Sequence, residues 1–254
     1  MTGVLPIALE EATKIVQAIL LAGKEYVCVM RLHAEMPEDR VKSVLNEFCG
    51  TILQRPPVRA SVRRRLRTRN IYYLNFLEMN GRNVLFKVGC EAGTYIRKLC
   101  HDVGEVLGCS AHMQELRRTR AGPFMENESL ITLHELSYLY SLWQETNDEN
   151  IPKKFIHPME KTLELLPKIY IRDSAVDAIC HGAHLAAPGV LSVETEINPN
   201  HMTAVFTQKG EAVALAKSLA STEEILKMDH GLVAKTMRVL MHRGVYPKMW
   251  RGSL

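Results

Sequence analysis

The chain has 254 residues and a net charge of +4, with 46% hydrophobic and 24% charged residues. This composition is typical of a globular protein, and the length provides enough apolar residues for one large or two modest domains. Because no apolar run approaches the roughly 18 residues of a membrane span and residues 1–6 lack the features of a signal peptide, the sequence predicts a cytoplasmic protein.

Three elements are predicted over the first 50 residues. Apolar residues recur at helical spacing over residues 8–21, alternate along a strand from Tyr26 to Leu32, and return to helical spacing over residues 37–49. Tyr26 shares one strand face with Cys28 and Met30, so the pattern alone favours a tyrosine packed in the core. Two further strands, 71–78 and 82–90, flank Asn80-Gly81, a favoured hairpin turn.

The six cysteines contain no Cys-x-x-Cys pair. Structural zinc sites use closely spaced ligand pairs, so no metal site is predicted. The cysteines are expected to be reduced thiols, most of them buried.

Arginines are concentrated between positions 55 and 69, and no acidic residue follows them before Glu78. Like charges at this density repel one another unless a polyanion neutralises them, so we favour nucleic-acid contact over a solvated charged face. Arg117, Arg118 and Arg120 repeat the pattern on a smaller scale. The cluster consists of Arg55, Arg59, Arg63, Arg64, Arg65, Arg67 and Arg69.

Residues 90–108 predict a strand end, a tight turn at Gly93 and a helix over 94–107 that ends at Gly108. Arg97 lies in the first turn, where the helix dipole disfavours a cation by up to about 1 kcal/mol. Such a cation either meets an anion or pairs at the surface with Glu91 or Asp102. Spacing alone leaves both interpretations open and slightly favours the surface pair.

The pattern changes after Pro167. A helix over 131–143 and a polar break at 147–150 precede a short helix near 173–181 and a glycine-rich turn over 182–190. Strands are then predicted near 190–194, 203–207, 211–216 and 232–241, with a hairpin loop at 208–210. Short strands with glycine-marked turns favour a small barrel, so a domain boundary is predicted near residue 165.

These segments together resemble the TruB family of pseudouridine synthases. Residues 90–118 are similar to the family's late catalytic motif, and Lys24-Glu25-Tyr26 is similar to its tyrosine-bearing strand. The segment from Gln54 to Arg64 resembles its Q-x-P-P loop in the arginine-rich form of dyskerin-like proteins. Residues 182–190, 209–211 and 229–231 resemble a PUA RNA-binding domain.

The resemblance implies an α+β fold, with a catalytic domain over 1–165 and a PUA β-barrel over 166–254. The catalytic domain would contain a mixed or antiparallel sheet with flanking helices. The implied activity is isomerisation of uridine to pseudouridine in rRNA or tRNA, with no metal or other cofactor. Tyr26 would pack against the flipped base, Arg97 would pair with the catalytic aspartate and a target phosphate, and Leu116 would line the apolar wall.

The resemblance also implies an RNA-binding surface. It comprises the seven clustered arginines, Arg117 and Arg118, together with the PUA turn residues Gly182, Ala183, Pro188 and Gly189. In the dyskerin branch the implied partners are an H/ACA guide RNA, the substrate RNA and small protein subunits. A eukaryotic member would be nucleolar.

The family's nucleophile lies in a motif of the form G-T-L-D-P-x-x-T-G. Residues 1–5 resemble the part that follows this aspartate, so the aspartate would precede Met1. The chain by itself is therefore expected to lack activity. Its role is left open between a guide-dependent synthase subunit, a stand-alone tRNA uridine synthase and an RNA-binding scaffold without catalytic activity.

Overall fold

The computed structural model describes residues 1–57 and 63–249, and the chain divides into two compact units. The first unit contains residues 1–7 and 19–156, and the second contains residues 8–18 and everything from residue 157 onward. The chain thus enters the second unit twice, once early and once late. No helix within the described ranges is long and apolar enough to cross a membrane.

A seven-stranded sheet forms the frame of the first unit, in the order β1-β6-β2-β5-β4-β3 with β7 paired to β6. Its described pairings are antiparallel apart from the parallel pairing of β1 with β6. The strands are β1 (Thr2–Gly3), β2 (Lys24–Leu32), β3 (Gly50–Gln54), β4 (Arg67–Asn80), β5 (Asn83–Cys90), β6 (Ala111–Ala121) and β7 (Phe124–Met125).

Two helices, residues Glu38–Glu47 and Ile96–Leu107, pack on one face of this sheet. Cys28, Met30 and Leu32 alternate along β2 and are fully buried beneath them, because alternate strand residues point to the same face. The helices of this part of the chain are α1 (Val16–Leu21), α2 (Glu38–Glu47), α3 (Ile96–Leu107), α4 (Leu133–Thr146) and α5 (Asn150–Lys153). The buried side chains of α2 and α3 belong to the same core as β2.

Helix α3 agrees closely with its prediction. Apolar residues at helical spacing, among them Leu99, Cys100 and Val103, are buried, and Gly108 ends the helix in a left-handed conformation with φ of 77°. Gly104 lets the helix lie close to the sheet, because a β-carbon there would be only 2.2 Å from the backbone nitrogen of Ala111.

The predicted hairpin is present, but its first strand begins earlier than expected. Strand β4 starts at Arg67 rather than at residue 71 because it pairs with β3, with Gln54 opposite Arg67. Strand β3 spans only five residues and begins directly after the segment 37–49 that was predicted as helix, so the sequence pattern did not reveal it.

The helix expected over residues 8–21 is only partly correct. Residues Glu10–Ile15 form a 3-10 helix, followed by the short α1. Leu9 and Leu20, expected on the buried face, are 56% and 64% exposed. Ile15 is buried with Leu163 in a core of the second unit. The prediction of one helix with one buried face is wrong here because the segment passes from the second unit to the first between residues 18 and 19.

A six-stranded sheet forms the frame of the second unit, in the order β10-β8-β11-β12-β13-β9. The predicted hairpin is present between β11 and β12, with Gly210 at φ of 81°. Further 3-10 turns span Glu10–Ile15 and Ala187–Gly189. The elements are α6 (Glu160–Leu163), β8 (Lys168–Ile171), α7 (Asp173–Cys180), β9 (Leu185–Ala186), β10 (Val190–Val193), β11 (Met202–Thr207), β12 (Ala212–Ser218), α8 (Thr222–Ile225) and β13 (Leu232–Val239).

All six cysteines are free thiols. Four of them, Cys28, Cys90, Cys100 and Cys180, are buried as expected, whereas Cys49 is exposed at the end of α2. Among the described residues, no three His, Cys, Asp or Glu side chains are grouped closely enough to hold a metal ion.

Candidate active site and nucleic-acid interface

The turn between β5 and α3 is held by hydrogen bonds to the sheet and within itself. The backbone N–H of Glu91 donates to the carbonyl of Asn70 at 2.9 Å, and the Glu91 carboxylate accepts from the Asn70 N–H at 3.0 Å. The Thr94 hydroxyl donates to the Glu91 carbonyl at 2.7 Å. Gly93 has φ of 80°, a conformation that glycine adopts at little cost. These contacts fix the position from which α3 starts.

Arg97 is exposed in the first turn of α3. The two acids considered as its surface partners bind other cations: the Glu91 carboxylate lies 3.5 Å from Arg69, and Asp102 pairs with Lys98 at 2.5 Å. The surface-pair interpretation is therefore wrong. Within the described parts of the chain, Arg97 has no anionic partner, so its guanidinium is available to a carboxylate or a phosphate.

Two contacts define the direction of α3 along β2. Gly104 abuts Ala111, which pairs with Leu32 on β2, and the Cys100 sulfur lies 3.6 Å from the Cys28 sulfur. The helix segment from Gly104 back to Cys100 therefore runs alongside β2 in the direction from Leu32 to Cys28. One step further in the same direction are Arg97 on the helix and Tyr26 on the strand, so both lie at the same end of the sheet.

Leu116 and Tyr26 lie on the helix-covered face of the sheet. Leu116 pairs with Cys28, and Arg118 pairs with Tyr26 across β2 and β6. Both Leu116 and Tyr26 are only partly buried and pack against the core cluster of the first unit. The structure thus brings Tyr26, Leu116 and the first turn of α3 into one region. Tyr26 is not an ordinary fully buried core tyrosine.

Tyr26 packs against the apolar core of the first unit and interacts with the Arg118 guanidinium. Burial raises the pKa of the Tyr26 hydroxyl, the Cys90 thiol acts in the same direction, and the Arg118 guanidinium opposes them. Burial also raises the pKa of Cys90 to about 11. Both groups are therefore neutral at physiological pH, and an uncharged aromatic face is available for a stacked base.

Arg118 is tied to the amino-terminal segment. Its Nε donates to the Val4 carbonyl at 2.6 Å, and the Val4 N–H donates to the Arg118 carbonyl at 2.8 Å. Gly3 permits this approach, because a β-carbon there would be 2.1 Å from the Arg118 carbonyl oxygen. Residues 2–4 are therefore held at the edge of the sheet beside the residue that pairs with Tyr26.

Lys24 was identified from sequence only as part of the tyrosine-bearing strand, with no role of its own. Its ammonium donates to the carbonyls of Ile19, Leu20 and Ala22 at 2.7–3.0 Å, where it stabilises the carboxyl end of α1. Burial lowers the pKa of Lys24, and the charge of Arg118 lowers it further. Its contacts with the end of α1 could not be read from that motif, because they depend on how the chain turns between α1 and β2.

Within the arginine cluster, the structure separates two kinds of residue. Arg55, Arg63, Arg64 and Arg65 are exposed, whereas Arg67 and Arg69 lie on β4 and are half-buried. Arg59 lies outside the described residues. Arg69 is near Glu91, as noted above, so this arginine is not free of acids as the linear sequence suggested. The acid comes from 22 positions further along the chain, through the pairing of β4 with β5.

Arg117 also has a partner that the sequence did not reveal. Its Nε lies 3.0 Å from both carboxylate oxygens of Glu126, and its terminal nitrogen pairs with the same group. The hydrogen bonds that Arg117 donates to the Glu126 carboxylate raise the pKa of Arg117. Strand β7 brings Glu126 back beside β6, so Arg117 is a less available cation than Arg63 or Arg65.

The glycine-rich turn of the second unit contains two different glycines. Gly182 is exposed with φ of 91°, and a β-carbon there would meet nothing within 4 Å. Gly189 is a packing glycine, since a β-carbon would lie 3.0 Å from that of Ala175. The Ala183 carbonyl accepts from the Thr236 hydroxyl at 2.6 Å, and Pro188 is exposed in a 3-10 turn. Gly182 is therefore the glycine that is open to a ligand.

Three family models match successive parts of the chain. The N-terminal domain of TruB family pseudouridylate synthases matches residues 1–96, and the C-terminal domain of tRNA pseudouridylate synthase B matches residues 97–164. The PUA domain matches residues 167–240.

Archaeal proteins are similar over nearly the whole chain. The probable tRNA pseudouridine synthase B of Methanopyrus kandleri is 57% identical over 249 residues, which are 98% of this chain and 73% of that protein. The protein of the same name from Pyrococcus abyssi is 53% identical over 98% of this chain and 75% of its own length.

Solved structures are similar over the same range. The match to a Cbf5-Nop10-Gar1 complex has a TM-score of 0.94 and 53% identity, and covers 97% of this chain and 75% of that chain. The match to an H/ACA RNP bound to a substrate RNA containing 2′-deoxyuridine has a TM-score of 0.90 and 50% identity, with 98% and 75% covered.

Proposed function

Because this chain belongs to the TruB family of pseudouridylate synthases, we propose that it isomerises uridine to pseudouridine in RNA, guided by an H/ACA RNA. The observation that supports this most directly is that Arg97, which has no anionic partner among the described residues, lies at the same end of the sheet as Tyr26 and Leu116. A cation that lacks a carboxylate, beside an uncharged aromatic face, fits a reaction in which a carboxylate acts on a flipped nucleotide.

In this reaction the bond between N1 and the ribose breaks, the base turns over, and C5 forms the new bond to the ribose. C5 loses its proton and N1 gains one, so the reaction is an isomerisation that consumes no co-substrate. We assign stacking on the base to Tyr26 and the apolar wall of the pocket to Leu116. Arg97 would pair both with the catalytic carboxylate and with a phosphate of the target. Exclusion of water by these groups strengthens each polar contact in the pocket.

Two modules would divide the work: residues 1–165 as the catalytic module and residues 166–254 as the RNA-binding PUA module. The proposed partners are the guide RNA, the substrate RNA and small protein subunits, as in the complexes of Cbf5 with Nop10 and Gar1. The proposed location is the cytoplasm, or the nucleolus in a eukaryotic source.

A stand-alone tRNA synthase is the second candidate, favoured by the names of the archaeal relatives. To separate the two, the chain extended through the family's aspartate motif is given either a target RNA with a matched H/ACA guide or an unmodified tRNA alone. We expect pseudouridine in the guided target only with its matched guide, read by chemical mapping. Equal modification of tRNA without any guide would favour the second candidate.

Arg63, Arg64 and Arg65, which are exposed, and the half-buried Arg67 are proposed to hold RNA phosphates. When Arg63, Arg64, Arg65 and Arg67 are replaced by alanine, RNA binding releases fewer counterions from the phosphates. The slope of log K against log salt concentration is therefore expected to flatten by about 0.7–0.9 per lost contact. The measurement is RNA affinity at several salt concentrations.

A matched control removes four exposed cations from other surfaces, Arg40, Arg82, Lys153 and Lys154. We expect it to change the slope much less than the cluster variant does. If both quadruple variants flatten the slope equally, net charge and not the cluster determines RNA binding.

The open turn at Gly182 is proposed to approach RNA backbone closely. Gly182→Asn preserves the left-handed conformation better than other side chains do, so we expect the fold to persist and RNA affinity to fall by about tenfold. Gly210→Asn is the matched control, because Gly210 also has positive φ and open space around it. An unfolded Gly182→Asn would instead identify a purely structural glycine.

A further inference from the structure

Gln54, the last residue of β3, is a buried polar side chain at 2% exposure. Its Oε1 accepts a hydrogen bond from the Tyr95 backbone N–H at 3.0 Å, and its Nε2 donates to the Tyr95 backbone carbonyl at 3.2 Å. A carboxamide is suited to this role because it presents a donor and an acceptor side by side. Gln54 thus holds both backbone groups of one residue.

Tyr95 directly precedes α3 and occupies its N-cap position. Its carbonyl accepts the N–H groups of Lys98 and Leu99, each at 3.0 Å, so it makes the first backbone hydrogen bonds of the helix. Tyr95 has no side-chain cap of its own. Gln54 therefore supplies from outside the helix the support for the first turn, in which Arg97 lies two residues after Tyr95.

The same glutamine stands where the arginine cluster leaves the sheet. It pairs with Arg67 across β3 and β4, so the chain departs after Gln54 and returns at Arg67. Arg55 and Pro56 follow Gln54 directly, and the Pro56 carbonyl accepts from Arg64 Nε at 3.3 Å. The chain thus leaves the sheet and rejoins it at the Gln54–Arg67 pair, within the arginine cluster.

We propose that Gln54 is a positioning residue that fixes the Arg97 turn to the base of the arginine cluster. RNA backbone held by Arg63, Arg64 and Arg65 then has a defined position relative to the guanidinium of Arg97. This proposal rests on the proposed function, because it explains how the phosphate contacts are held at a fixed position relative to the reacting nucleotide. A misplacement of about 1 Å at a reacting centre lowers rates by as much as about 100-fold.

The test uses the protein extended through the aspartate motif, with guide and partner proteins present. Gln54→Met keeps the side-chain length and removes both hydrogen bonds. We expect kcat, measured at saturating target RNA, to fall by about 10- to 100-fold, with RNA affinity and its salt slope within twofold of the unmodified protein. Gln114→Met, at an exposed glutamine on β6, is the matched control and should leave kcat unchanged.

A conservative replacement adds a pH signature. In a Gln54→Glu variant, the protonated carboxyl group can donate to the Tyr95 carbonyl and accept from its N–H, whereas the ionised carboxylate can only accept. At each pH we compare the kcat of this variant with that of the unmodified protein. We expect the ratio of the two to rise towards one as pH falls. A purely structural role would lower the thermal midpoint of Gln54→Met and leave kcat at moderate temperature unchanged, which would overturn the proposal.

Hydrogen exchange separates this proposal from the proposed function. In the 254-residue chain, Gln54→Met should speed exchange of the Tyr95 amide, and Gln114→Met should not. Unchanged exchange would show that the two hydrogen bonds between Gln54 and Tyr95 do not support the first turn of α3. Absence of pseudouridine with the unmodified extended protein would instead overturn the proposed function, whatever the exchange data show.

Discussion

A polypeptide of these 254 residues is expected to bind guide RNA and leave uridine unmodified, whereas the same chain extended upstream through the family's aspartate motif should make pseudouridine. In the described residues Arg97 meets no carboxylate, and the nearby acids Glu91 and Asp102 are engaged by Arg69 and Lys98. Positioning groups alone do not replace a nucleophile, since removing one costs most of the rate acceleration.

Both forms would be assembled with the same guide, target and partner proteins, and pseudouridine would be followed with time. The affinity of each form for the guide serves as the control, and the two should agree closely because the arginine cluster and the PUA turn are common to both. Turnover by the 254-residue form would contradict the expectation and would require another nucleophile. If neither form has activity while both bind guide RNA, the scaffold interpretation would gain support.

The family resemblance and the fold class, a TruB-type synthase domain followed by a PUA domain, could be predicted from sequence and are confirmed. Helix α3 shows why local prediction worked: its apolar spacing and the left-handed glycine at its end both depend on neighbours within a few residues. The β4–β5 hairpin likewise follows from the Asn80-Gly81 turn.

Contacts between distant strands could not be predicted in the same way. Glu126 neutralises Arg117 because β7 folds back on β6, and Glu91 approaches Arg69 because β4 and β5 pair. Neither strand pairing can be read from the order of charged residues along the sequence. Gln54 was visible only as part of a loop motif, since its burial depends on α3, which begins 42 positions later.

The segment over residues 8–21 shows a different limit. Its apolar spacing fits one continuous helix, yet Ile15 is buried in the second unit while Leu20 is exposed in the first. A periodic pattern assumes that one face meets one core. Where the chain passes from one unit to another, apolar residues can keep helical spacing although they are not buried on one common face.

Replacing Arg97 should have a large effect on the extended protein, while RNA binding is retained. Arg97→Met removes a guanidinium that can hold a carboxylate and a phosphate with paired hydrogen bonds, and we expect kcat to fall by about 100- to 1,000-fold. Arg97→Lys keeps the charge but loses the planar two-pronged geometry, so it should recover only part of the rate. Single-turnover assays at saturating RNA measure both variants.

Lys98→Met is the matched control for Arg97→Met, because it removes one positive charge from the same turn of α3. The ammonium of Lys98 is already paired with Asp102, so its loss should alter kcat by only a few-fold. Losing one phosphate contact with Arg97 should flatten the salt slope of binding by less than about 1. Equal losses of kcat for Arg97→Met and Lys98→Met would mean that α3 contributes general positive charge and not a directed partner for the carboxylate, and the site assigned to Arg97 would be wrong.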